Sequence, residues 1–166
     1  MKIAQLNSAT LPVYYRDIAT LLVEADTSLS SVETQVYRLR SALEQNSALI
    51  WIARDEVGIA GMAYLSLSQD SDGMNRAQLK ALRVLRHKRG QGTGKLLLNT
   101  LEAAARMQQR GLVYLNMPTG SPGEKFLRAS GYRCLGGLPD YLCSGAGTCR
   151  ASIIYYKRLS TFPGVR

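Results

Sequence analysis

The run Arg89-Gly90-Gln91-Gly92-Thr93-Gly94-Lys95 is the part of this sequence best equipped for chemistry. Glycines at alternate positions let backbone N–H groups turn toward one point. A helical periodicity follows at once, with Leu97, Leu98, Leu101, Ala104 and Ala105 spaced by three and four. The loop therefore opens a helix N-terminus, whose unpaired amides and partial positive charge attract anions. Arg89 and Lys95 flank it with full charges. The product is an anion cradle suited to a pyrophosphate. Two rival phosphate motifs fail on spacing. Walker A requires Gly-x4-Gly-Lys-Ser/Thr, but position 89 is Arg and position 96 is Leu. The dinucleotide fingerprint requires Gly-x-Gly-x-x-Gly, and its last place falls on Lys95 or Leu97.

The cradle needs a strand before it and a helix after it. Residues 75–86 alternate in part, with Leu79, Leu82 and Val84 among polar neighbours, and predict the strand. The helix runs from about 94 to 110, with Gly111 as its stop. Upstream, the pattern predicts a strand at 2–6 and a helix begun by Pro12. A second helix follows, capped by Ser30 or Ser31, and then strands at 48–53 and 57–67. Downstream come a strand at 112–117, a loop at 118–123, a short helix at 124–130, and strands at 132–138 and 151–159. A Gly-, Ser- and Pro-rich loop fills 139–150. Hairpins come first and one β-α-β crossover second, which makes an α/β (α+β) fold on a mixed sheet.

Composition sets the outer limits. The 166 residues, 46% apolar and 20% charged, suit one domain spanning 1–166 and exclude a disordered or collagen-like chain. No membrane span or signal peptide is expected, and the odd count of three cysteines argues against a disulfide framework and for the cytoplasm. The net charge of +9 expects an anionic partner, and residues 76–110 hold nine basic side chains against Glu102 alone. No helix-turn-helix, zinc finger or stacking motif accompanies that charge, so a nucleic-acid partner is disfavoured. Cys143-x5-Cys149 is too loose for zinc, and no metal is expected. His87 reads as a solvated loop residue, and Cys134 and Trp51 as core.

Leu82-x-Val84-x4-Arg89-Gly90-x-Gly92-x-Gly94, followed by Leu96, Leu97 and Leu98, resembles motif A of the GNAT superfamily of N-acetyltransferases. Phe126-Leu127-x3-Gly131-Tyr132 is similar to its motif B, usually Phe-Tyr-x3-Gly-Phe/Tyr. The strings at Gly120–Glu124, Gly137–Tyr141 and Ile154–Lys157 resemble the tabtoxin-resistance, antibiotic-acetylating type. The resemblance implies a mostly antiparallel sheet of about seven strands with about four helices. It implies acetyl transfer from acetyl-CoA to a primary amine of a small molecule, by a monomer or homodimer. The pyrophosphate would sit on Arg89, Gly90, Gln91, Gly92, Thr93, Gly94 and Lys95. The pantetheine arm would lie along Leu82, Arg83 and Val84, with Gly120 and Gly123 on its other flank. Arg86, Lys88 and Lys95 become candidates for the 3′-phosphate.

Three positions depart from that family. Its usual acid, the Tyr of motif B, is Leu127 here. A Glu and an Asp expected on neighbouring strands become Gln78 and Asn116. Both keep hydrogen bonding and lose basicity. Gln78, Asn116, Tyr132 and Tyr141 are then the catalytic candidates, with Tyr155 and Tyr156 as further phenols. Proximity and carbonyl polarisation can carry much of the rate without them. The alternatives are a degenerate protein that binds acyl-CoA without turnover, or an enzyme acting on RNA or a ribosomal protein. Glu24, Asp26 and Glu33 on the N-terminal helices are candidate contacts for a cationic acceptor, as is Pro139-Asp140-Tyr141.

Overall fold

The computed structural model describes residues 1–25, 31–143 and 145–159, so Asp26 and Ser30 lie outside the described residues. The chain runs β1 (Lys2–Leu6), α1 (Tyr15–Ala25), α2 (Val32–Glu44), β2 (Ala48–Arg54), β3 (Ile59–Leu67), β4 (Arg76–Val84), α3 (Thr93–Met107), β5 (Leu112–Pro118), α4 (Gly123–Ala129), β6 (Arg133–Cys143) and β7 (Cys149–Arg158). The strands form one sheet in the order β1-β2-β3-β4-β5-β7-β6. Every neighbouring pair is antiparallel except β4 and β5. That is the expected seven-stranded mixed sheet with four helices.

Strand alternation divides the core between the two faces. Ala53, Ala63, Leu65, Leu67, Ala77, Leu79, Val113, Leu115 and Tyr155 pack with Leu97, Leu98, Leu101 and Ala105 of α3 and Leu127 of α4. Ile50, Ile52, Ile59 and Met62 pack on the other face with Ile18, Leu21 and Leu22 of α1 and Val36 and Leu39 of α2. Each buried aliphatic side chain contributes about 1.5–3 kcal/mol. Ser31 caps α2, its hydroxyl accepting the Thr34 N–H at 3.2 Å.

Four expectations change. Residues 139–150 do not form one long loop: β6 extends to Cys143 and β7 starts at Cys149. The hairpin absorbs the extra residues as register shifts at Cys134/Gly136 and Leu138/Leu142, with Asp140 at φ 53°. Cys143 and Cys149 are cross-strand partners joined by a disulfide, so the odd cysteine count no longer argues for a reducing compartment. Cys134 is exposed, not core, because β6 is the edge strand of the sheet. Helix α3 ends at Met107, and Gln109, with φ 57°, makes the left-handed turn expected of Gly111.

The basic stretch is largely spoken for. Arg110 is buried and donates to the carbonyls of Gly73 and Met74. Arg106 donates to the Leu159 carbonyl, and Lys88 pairs with Asp55 at 2.6 Å. Among the described residues no helix is long and apolar enough to cross a membrane.

Candidate active site

Strands β4 and β5 form a fork. They pair only at Arg76–Leu112, Ala77–Val113 and Gln78–Tyr114, although β4 continues to Val84 and β5 to Pro118. On its other edge β4 stays paired with β3 up to Val84–Gly61. Beyond Gln78 the strand β4 therefore diverges from β5 and borders the cleft, with the Val84 carbonyl accepting from Arg89. A strand edge at such a divergence can pair with an extended ligand. A register shift sets Ala81 opposite Tyr64 but Leu79 opposite Leu65, so Lys80 is the bulged residue. Bulges redirect the backbone where they occur.

Gln78 and Asn116 meet across the vertex of the fork. Gln78 Nε2 donates to Asn116 Oδ1 at 3.1 Å. Their strand parity sets both on the face opposite Ala77, Val113 and Leu115. The bridge leaves Gln78 Oε1 and Asn116 Nδ2 for other partners.

The glycine loop lies where β4 ends and α3 begins. Gly90 and Gly92 adopt φ of 75° and 80°, values that cost other residues about 1–2 kcal/mol. A Cβ on either would meet nothing within 4 Å, so the cradle is open. Thr93 is buried at the helix start, and among the described residues its Oγ1 has no hydrogen-bond partner. The first-turn amides of α3 have no intrahelical acceptor. Arg89 Nε donates to the Val84 carbonyl at 3.0 Å, which ties its charge to the end of the strand. Lys95 is exposed, as are Arg86 and His87. Lys88 is less free than expected: its bond to Asp55, with the Val57 N–H, holds that carboxyl down at about 2. The Arg86 N–H donates to Glu24, so that acid braces the loop.

Helix α4 faces the loop through Phe126, whose Cζ lies 3.7 Å from the position of a Gly94 Cβ. Gly120 donates its N–H to Glu124 Oε1 at 2.9 Å, and Gly123 begins α4. Gly120 and Glu124 also line an open cavity of about 440 Å³ with Ser121, Pro122, Lys125 and Arg128.

The tyrosines divide by position. Tyr132 is a core residue, 3% exposed, and burial drives its phenol pKa upward. Lys157 Nζ sits 5.5 Å from its ring centroid while bonding both Glu102 oxygens, at 3.0 and 2.8 Å. A buried phenol on the α3/α4 face is no candidate for proton transfer at Gln78. Tyr155 is also on that face, donating to Glu124 Oε2 at 2.7 Å and accepting from Arg128. The Glu124 bond raises its pKa, and the same bond lowers that of Glu124. Tyr141 is exposed on β6, the edge strand that β5 and β7 separate from Gln78 on β4. Leu127 packs into the core at 3% exposure. Tyr114 is a residue the sequence reading missed. It pairs with Gln78 and lies two residues before Asn116, a strand parity that was legible beforehand. Tyr156 is its partner on β7.

A family model described as an acetyltransferase (GNAT) domain matches residues 46–134. The fold is similar to that of ribosomal-protein-alanine N-acetyltransferase from Brucella melitensis, with a TM-score of 0.73 at 20% identity, covering 95% of this chain and 99% of that one. A GNAT-family protein from Desulfovibrio desulfuricans aligns with a TM-score of 0.80 at 15% identity, over 96% and 100% of the two chains. A Salmonella typhimurium protein solved with its cofactor acetyl-CoA aligns at 0.77 and 12%, over 100% and 98%. Among the described residues no group of three or more His, Cys, Asp or Glu could hold a metal ion.

Proposed function

The chain belongs to the GNAT acetyltransferase family, and on that premise we propose that it transfers an acetyl group from acetyl-CoA to a primary amine of a small polar molecule, within one domain spanning 1–166. The observation that carries this reading is the fork: β4 diverges from β5 between an amide-lined vertex and an open glycine cradle. Acetyl-CoA supplies an activated thioester carbonyl when bound.

The remaining work falls to this chain's residues. Gly90, Gln91, Gly92, Thr93, Gly94 and Lys95 would bind pyrophosphate through backbone amides, with Arg89 and Lys95 adding charge. The orphan Thr93 hydroxyl fits a phosphate oxygen there. Leu82, Arg83 and Val84 would pair with pantetheine amides as an added strand. A β4 edge amide near the Lys80 bulge would polarise the carbonyl, a stabilisation worth about 3–4 kcal/mol in comparable sites. Gln78 Oε1 would accept a hydrogen from the incoming amine, and Asn116 would hold Gln78 in place. Neither takes up a proton near neutral pH, so the ammonium proton leaves to water. The local resemblance to antibiotic-acetylating relatives favours a detoxifying role.

Leu127 favours a second reading. With no phenol from α4 the thiol must leave without an enzyme acid, and a protein that binds acyl-CoA without turnover satisfies the same fork. Mass spectrometry after incubation with acetyl-CoA and a panel of primary amines separates the two. Acetylated amine with equimolar free CoA supports the transferase. Cofactor binding with no acetylated product supports the binder.

A further inference from the structure

The face of the fork that carries Gln78 continues into a small polar pocket. Ser66, Ser68, Asp70, Arg76, Gln78 and Tyr114 line a cavity of about 170 Å³. Register explains the grouping. Gln78 stands opposite Ser66 on β3 and Tyr114 on β5, and Arg76 precedes it by two residues on the same face. The strand rise separates Arg76 from Gln78 by about 7 Å.

The two ends of the pocket differ in charge. At the Gln78 end the groups are neutral amides. At the other end Arg76 Nη2 stands 3.8 Å from Asp70 Oδ2, too far for a hydrogen bond, with side chains 44% and 80% exposed. A cation and an anion are thus offered side by side to solvent. A guanidinium fork suits a carboxylate, and the aspartate suits an ammonium. A simple diamine would meet Arg76 as a like charge, a simple amino carboxylate would leave Asp70 unpaired, and an apolar amine would desolvate six polar residues. The volume is of the order of cavities known to hold one small organic molecule, which suits a single amino acid.

We infer that the acceptor is a diamino acid acetylated on its side-chain amine. Arg76 holds the α-carboxylate, Asp70 the α-ammonium, and Ser66, Ser68 and Tyr114 line the space between that head and Gln78. The side-chain nitrogen forms a bond to the acetyl carbon as the carbon–sulfur bond breaks. The ammonium first gives one proton to water; after attack the nitrogen gives up its second, which passes through water to the CoA thiolate. The inference rests on the acetyltransferase reading, and its test keeps the two apart.

The acceptors are L-lysine, L-ornithine, 1,5-diaminopentane and 6-aminohexanoate. Each is titrated calorimetrically into protein saturated with CoA, and each is assayed for acetylation by mass spectrometry. Lysine or ornithine is expected to be acetylated on its side-chain nitrogen with kcat/KM at least tenfold above the other two compounds. Arg76→Gln should raise KM for the diamino acid at least tenfold and lower KM for 1,5-diaminopentane, which the guanidinium no longer repels. Asp70→Asn should erase the preference over 6-aminohexanoate. Equal use of 1,5-diaminopentane and lysine, acetylation at the α-nitrogen, or an equal effect of Arg76→Gln on every amine would overturn the inference. If no amine is acetylated, calorimetry still decides. Diamino-acid binding that depends on Arg76 upholds the pocket and sinks the transferase reading, whereas absence of binding sinks the pocket as well.

Discussion

The glycine loop and the amide vertex of the fork work by different means. In the proposed function the loop would act through main chain: Gly90 and Gly92 adopt left-handed φ, and the loop amides would hold the pyrophosphate. The vertex would act through side chains, Gln78 and Asn116, that two strands bring together from 38 positions apart in sequence. Backbone chemistry leaves a trace in the sequence because few residues satisfy it. Side-chain chemistry at a sheet face leaves only parity. A similar contrast separates the two faces of the sheet. The α3/α4 face buries Glu102 against Lys157, whereas the vertex uses neutral amides.

Replacing Lys157 by Ala breaks the contrast between faces most strongly. Among the described residues it leaves Glu102, 5% exposed, with Arg106 at 4.0 Å as its remaining ion-pair partner. Thermal unfolding should show a loss of about 3 kcal/mol, a drop of roughly 6–12 °C. Turnover per folded molecule should survive, because that pair lies away from the vertex.

Changes at the vertex should do the reverse. Gln78→Ala should lower kcat/KM by roughly 10- to 100-fold in steady-state assays, with little change in melting temperature. Asn116→Ala should cost less, about tenfold, because it acts by orienting Gln78. An equal loss of stability in both variants would show the amide bridge to be structural only.

The smallest effect concerns the Lys88–Asp55 pair beside the loop. Asp55 has a carboxyl pKa lowered from 3.8 to about 2. A depressed folded-state value means the pair contributes stability above pH 4 that disappears as pH falls through about 2. Denaturation midpoints measured between pH 5 and pH 2 should fall less for Asp55→Asn than for the unmodified chain.

Much of the fold was legible in hydrophobic period and turn residues, and the glycine loop in its spacing. How far β6 and β7 extend was not. Pro139 and the glycines at 145 and 147 resemble loop residues, yet β6 runs past Pro139 through a register shift at Leu138/Leu142 and a left-handed Asp140. Pairing with β7 outweighed local propensity there. The disulfide followed from that misjudged segment, since Cys143 and Cys149 become neighbours only once both strands extend. Tyr132 looked like a proton donor because its type fits, yet burial under Lys157 removes it from solvent. Tyr114 went unnoticed between Val113 and Leu115, whose apolar character drew attention to the opposite face.

Calorimetric titration of acetyl-CoA into the unmodified chain and into Gly92→Glu tests the central claim most directly. The account predicts saturable one-to-one binding near the micromolar range, weakened on the order of 100-fold or more by the added carboxylate. Absence of binding to the unmodified chain, or equal binding to both proteins, would contradict it.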